Sequence, residues 1–187
     1  MKFLYLTSLA ILLLTSSQAQ TKSQLKSLEV SDLKFRSIFG FHPIDSTNVF
    51  SLLGSGFFRT PRSENSDSLI NAWLEAHPKA KVIPVTSLGP TMIANRNSKM
   101  TYCWIIDERD TLNNYLIRNG CFPGGTMQRP QTWKEMTKEE KKMYEEEKPQ
   151  ITVHIDKKIY EQFLEQVKSA ELFARKNELG IWKNEQE

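Results

Sequence analysis

Cysteine is nearly absent from this chain: Cys103 and Cys121 are the only two in 187 residues. Two thiols exclude a disulfide-stapled miniprotein. Without clustered histidine they also exclude a structural zinc site, which needs four nitrogen or sulfur ligands. Histidine is equally scarce, with His42, His77 and His154 far apart in unrelated contexts. An excess of one charge is missing too. The formal balance is +3, from 25 basic and 22 acidic residues. That excludes a strongly basic nucleic-acid coat or a polybasic membrane binder, and leaves room for a local basic patch. Long apolar runs are lacking apart from residues 3–14, a stretch too short to span a bilayer.

That one run lies in "MKFLYLTSLAILLLTSSQAQ". Lys2 supplies a positive start, and Ser17 and Ala19 are small residues at the −3 and −1 positions before Gln20. The pattern predicts a signal peptide over residues 1–19 and a secreted or periplasmic chain without stable membrane insertion. No further apolar run or basic stop-transfer cluster follows, which argues against a short membrane anchor. No cysteine follows the cleavage point to carry a lipid. Removing the leader removes only Lys2 among the charges, so the balance falls from +3 to +2. The remainder, roughly 170 residues, suits one domain with one core. In an exported chain Cys103 and Cys121 are a candidate disulfide. Both also sit among apolar neighbours, so two inert buried thiols fit equally well.

Residues 20–34 are polar with sparse leucines and read as a lead-in segment or short helix. The stretch "FRSIFGFHPIDSTNVFSLLGSGFFRTP" mixes aromatics and branched residues with turn signals, and Gly54, Ser55 and Gly56 predict a hairpin. Ser63, Ser66 and Asp67 offer caps for a helix carrying Leu69, Ile70, Trp73 and Ala76, ended by Pro78. "AKVIPVTSL" and "KMTYCWIID" read as strands; Pro84 lacks an N–H, so the first should be an edge or bulged strand. "DTLNNYLIRNG" predicts a short helix capped by Asp110 or Thr111, with Leu112 and Leu116 inward and Gly120 as its left-handed stop. "TKEEKKMYEEEKP" carries a capping box of Thr137 with Glu140. Its dense Glu/Lys pairing predicts a surface helix touching the body through Met143 and Tyr144. After Asp156, Tyr160, Phe163, Leu164, Val167, Ala170 and Ala174 recur at helical steps up to a stop at Gly180. That stop turns Leu179, Ile181 and Trp182 back onto the core, a structural role for the last tryptophan.

"LNNYLIRNG" followed by "SAELFARKNELGIW" resembles the staphylococcal-nuclease (thermonuclease) family. Asn113, Leu116, Arg118 and Gly120 fit its short helix, and Glu171, Ala174, Leu179, Ile181 and Trp182 fit its final one. The likeness covers residues 69–121 and 157–183 and is faint over 35–62. It implies an α+β fold: an OB-like β-barrel with three helices over residues 35–187, plus a helical insertion at about 122–152. These residues are core and capping positions, so they bear on fold more than on chemistry.

The family's chemistry uses carboxylates on the first strand and after the third to hold calcium. A glutamate activates the attacking water, and two arginines neutralise the phosphate. In "PIDSTNV" the resemblance retains Asp45, the only acid of the set, with Thr47 where the second should stand. In "FFRTPRSE" it retains Thr60 and Pro61, but Arg59 stands for the metal-binding aspartate and Arg62 for the catalytic glutamate. Lys99 stands for one arginine, and no counterpart of the other precedes Arg59. Two cations in place of two anions repel calcium. The expectation is therefore no catalytic residue, no metal and no cofactor, with Arg59, Arg62, Arg96 and Lys99 as anion-binding candidates.

Three functions compete on these residues. The first is an exported binding module, a pseudoenzyme on an OB-like scaffold, for anionic or nucleic-acid ligands. The second is an active secreted metal-dependent phosphodiesterase, with either Glu64 or Asp67 joining Asp45 as a replacement ligand set. The third is a protein–protein interaction module using the Glu/Lys helix and the loop "CFPGGTMQRP".

Overall fold

The computed structural model describes residues 28–45, 47–52, 61–89, 98–108, 110–124, 131–143 and 150–183. The strands are β1 (Leu28–Glu29), β2 (Lys34–Arg36), β3 (Phe39–Phe41), β4 (Asn48–Leu52), β5 (Lys81–Gly89), β6 (Lys99–Asp107), β7 (Asp110–Thr111) and β8 (Gln150–Val153). The helices are α1 (Ser66–Ala76), α2 (Leu112–Arg118), α3 (Lys138–Lys142) and α4 (Lys157–Lys176). The leader, the turn at Gly54 to Gly56, Thr60 and Tyr144 lie outside the described residues.

The strand β6 is the spine. Its β-branched and aromatic run is buried on both faces from Met100 to Ile105, as a central strand requires. It pairs with β5 antiparallel and with β4 parallel, in the sheet order β1-β5-β6-β4-β3-β2, with β7 on β6 and β8 on β5. The strands at the two ends of that order, β1 and β2, are consecutive in the chain. Only a 3-10 turn, Val30–Asp32, and Leu33 separate them. Six strands laid flat would hold those ends about 24 Å apart at the usual spacing. Five residue steps reach about 18 Å at most. The sheet therefore cannot lie flat, and it curls into a half-barrel. The result is an α+β fold compatible with an OB-like barrel.

Pro84 shows how the curl is made. The pairing of β5 with β6 slips between Pro84 and Thr86, a bulge that bends the strand. On its other side β5 pairs with β1 through Lys81 and Val82, and with β8 from Thr86 onward. The missing N–H of Pro84 falls in the gap between those two partners. The strand is bulged and internal, one of the two options its proline predicts.

The helices cover one face and close the ends. Trp104 of β6 packs on Phe163 of α4, ring centroids 4.4 Å apart. Asn113, at 2 % exposure, ties α2 to the spine: its Oδ1 accepts from the Ile105 N–H and its Nδ2 donates to the Cys103 carbonyl. Both α2 and α4 end in a Schellman motif. In α2 the Gly120 N–H donates to Ile117 O and the Cys121 N–H to Leu116 O, with Gly120 at φ +67. In α4 the matching bonds are Glu178 to Arg175 and Leu179 to Ala174. The left-handed residue there is Glu178, φ +52, and not Gly180. That corrects the expected stop, since the helix ends at Lys176.

Gly180 has another task. Its φ is +57, and it opens the 3-10 turn Gly180–Trp182, whose Ile181 N–H donates to Gly120 O at 2.9 Å. A Cβ on Gly120 would lie 2.0 Å from Leu179 O, and one on Gly180 would lie 2.1 Å from Gly120 O. The two glycines let two helix ends touch backbone to backbone. Trp182 then folds in at 6 % exposure, with the Arg175 guanidinium 3.5 Å from its ring centroid. This is the structural seal the sequence predicts.

The expected insertion at 122–152 contributes to the body at both ends. Phe122 is in the core, and β8 is part of the sheet. Between them, α3 has its capping box, Thr137 Oγ1 accepting from the Glu140 N–H and Glu140 Oε2 from the Thr137 N–H. Its contact residue is not Met143, which is 76 % exposed, but Met136, buried just before it. The short helix stops before its apolar residue can turn inward.

Candidate functional site

At Arg62, which the resemblance aligns with a catalytic glutamate, the structure places an arginine clamp. Pro61 and Arg62 lead into α1, so the Arg62 side chain lies along the first turn of that helix. Its Nε donates to Ser66 Oγ at 2.6 Å, one terminal nitrogen to Ser37 Oγ at 2.9 Å, and the other to Asp67 Oδ2. Ser37 is the turn between β2 and β3 and sits in the left-handed region at φ 58. One guanidinium thus pins the β2–β3 turn to the start of α1. Asp67, a candidate ligand for a replaced metal set, is the counter-ion of this clamp.

Asp45 does not stand on the first strand of the meander. Three strands, β1, β2 and β3, precede it, and it lies in the connection from β3 to β4. Its carboxylate is turned onto its own chain. Oδ1 accepts from the Thr47 N–H and the Thr47 hydroxyl, and Oδ2 accepts from Asn48 Nδ2. The Thr47 hydroxyl, then the Thr47 N–H, hold the Asp45 carboxyl below the ordinary carboxylate range. This is an Asx turn that aims β4 into its parallel register with β6.

That register sets Lys99 beside the chain that follows Asp45. Asn48 lies opposite Lys99, and the Lys99 N–H donates to Thr47 O at 2.7 Å. The Lys99 side chain is exposed at the start of β6, with no partner among the described residues. Arg62 is held at a different corner, and Arg59 and Arg96 lie outside the described residues. Glu64 is exposed on a cleft of about 530 Å³ that opens between the start of α1, the end of α2 and the turn after α4. None of Asp45, Arg62 or Lys99 lines it. Among the described residues, no three acids, histidines or cysteines stand together as a metal site.

Cys103 and Cys121 are both buried free thiols, so the candidate disulfide is not made in this structure. Burial pushes both thiols up, far up for Cys103. At Cys121 a hydrogen bond with Ser63 and the Arg62 charge pull weakly the other way.

One polar group escaped the sequence reading. Ser87 Oγ lies 2.8 Å from His154 Nε2 and 2.9 Å from Thr101 Oγ1. Three strands bring these residues together across 67 positions of chain, which no local pattern signals. His77 likewise meets Asp107 at 2.7 Å and stacks on Trp73, closing the end of α1.

The class these observations define is an α+β chain on a curled, OB-compatible half-barrel, with an arginine clamp at the corner where acids are expected. No protein-family model matches the chain, and no curated protein matches it. No helix among the described residues is long and apolar enough to cross a membrane.

Proposed function

We propose that this is an exported, staphylococcal-nuclease-like binding module that takes an anionic ligand, such as single-stranded nucleic acid, and does not hydrolyse it. One observation carries the reading: the Arg62 guanidinium, neutralised by Asp67 and tied to Ser37 and Ser66, fills the corner where the resemblance requires a catalytic glutamate. A hard cation needs several oxygen ligands. Here Asp67 is paired to arginine and Asp45 is folded onto Thr47 and Asn48, which speaks against the replacement ligand set. The exposed Lys99 at the start of β6 supports anion binding, and a curled sheet of this kind suits an extended ligand. The interaction-module reading draws on α3, which buries none of its residues.

The test is the purified mature chain incubated with single-stranded DNA and RNA, with and without calcium, scored for binding and for cleavage. Binding that weakens steeply with salt, with intact oligonucleotide throughout, is the expected result. Calcium-dependent cleavage would promote the phosphodiesterase reading. Absence of binding would leave the interaction module.

A further inference from the structure

The hydroxyl relay across β6, β5 and the end of β8 has the parts of an activated nucleophile. Ser87 Oγ sits between two partners, His154 Nε2 at 2.8 Å and Thr101 Oγ1 at 2.9 Å. A base must lie within hydrogen-bond reach of the proton it takes, and 2.8 Å meets that condition. The base is also held in place: the His154 N–H donates to Val85 O at 2.9 Å, which fixes the histidine backbone on β5. Desolvation lowers the His154 pKa, which favours a neutral ring at neutral pH; in the tautomer protonated on Nδ1, Nε2 accepts from Ser87. Thr101 is buried, and when Ser87 donates to His154 the Thr101 hydroxyl is the donor in their shared bond. Ser87 and His154 are only half-buried, so a small electrophile can approach. On the same side of β6, two residues before Thr101, stands the cation Lys99.

We propose that Ser87 is a nucleophile with His154 as its general base, able to take an acyl group from a small carboxylic ester. In the first step Ser87 Oγ bonds to the ester carbonyl carbon and its proton passes to His154 Nε2. The alcohol then leaves, carrying that proton, and the acyl group remains on Ser87. Water, deprotonated by the same nitrogen, releases the carboxylic acid and restores the hydroxyl. Thr101 orients the Ser87 hydroxyl, and Lys99 is the charge available to the oxyanion. This chemistry uses no phosphate and no metal, and it shares only Lys99 with the anion-binding reading.

The alternative is that the relay only fastens β8 to β5, and covalent labelling separates the two. The folded mature protein is treated with a fluorophosphonate, whose phosphorus bonds to a serine oxygen as fluoride leaves. The modified residue is then located by mass spectrometry. The expected result is one adduct, on Ser87, absent from Ser87→Ala. In His154→Gln it should form about 100-fold more slowly, in line with what a general base contributes. Retained near-UV circular dichroism would show that this variant is folded. A wild-type protein that takes no label overturns the proposal without recourse to any variant. So does labelling of Ser87 at an unchanged rate in folded His154→Gln.

Discussion

Cys103 and Cys121 differ in what surrounds them, yet both are shielded and both thiols are pushed up by burial. Since the thiolate is the reacting form, native protein should not react with a thiol reagent over hours. Denatured without reductant, it should show two free thiols by intact mass. A mass lower by two hydrogens would mean that the pair is bridged. Two other residues set the response to acid. His154 is held below its ordinary value near 6.5, so between that value and its folded one the unfolded chain binds more protons. Its contribution is full above about 6.5 and is lost as pH falls toward the folded value. Asp45, also depressed, contributes above its ordinary 3.8 and loses that contribution as pH falls further. The melting temperature should therefore drop in two stages on acidification, and His154→Gln should remove the first. A melting temperature that rises between pH 7 and 5 would contradict the assignment.

The elements that came through best from the sequence carry their own punctuation. Thr111 caps α2 through the Asn114 N–H, Gly120 ends it, and Asp156 precedes α4, all as local chemistry predicts. The long strands followed from β-branched and aromatic runs. What local chemistry does not encode is the meeting of two elements. Gly180 reads as a helix stop, yet it is reserved for contact with Gly120, a residue sixty positions earlier. Glu178 takes the left-handed position although its side chain disfavours it, because the fold fixes the chain on either side. Gly120→Ala and Gly180→Ala should each destabilise by about 3 kcal/mol or more, because either Cβ lands on backbone. Combined, they should cost clearly less than the sum, since one change already opens the contact. Additive losses by chemical denaturation would mean that the glycines act separately. Trp182→Ala should remove about 3–5 kcal/mol through the cavity under the last turn. A melting shift near zero would mean that the C-terminal seal does not hold the core.

At the scale of the molecule, the half-barrel follows from chain length and order: β1 and β2 are sheet ends joined by a connection too short for a flat sheet. Alternation and turn residues predicted strands, but not that β4 would run parallel to β6, a pairing made across about fifty residues. The candidate site was legible only in part. The substitution pattern around Thr60 and Pro61 pointed to a lost carboxylate set. It did not reveal that Arg62 would be consumed by Ser37, Ser66 and Asp67. Nor did it show that Asp45 would follow β3 rather than begin the meander. Of the four cations in the expected anion site, Lys99 is the one the structure leaves unpartnered among the described residues. The central claim is binding of a polyanion without cleavage. Its most direct measurement is the fluorescence anisotropy of an end-labelled single-stranded oligonucleotide, titrated with mature protein and then followed for hours in calcium. The account predicts a rise that collapses at high salt, is weakened by Lys99→Glu, and otherwise stays constant with time. Anisotropy that rises and then decays to that of a short fragment in the presence of calcium would contradict it.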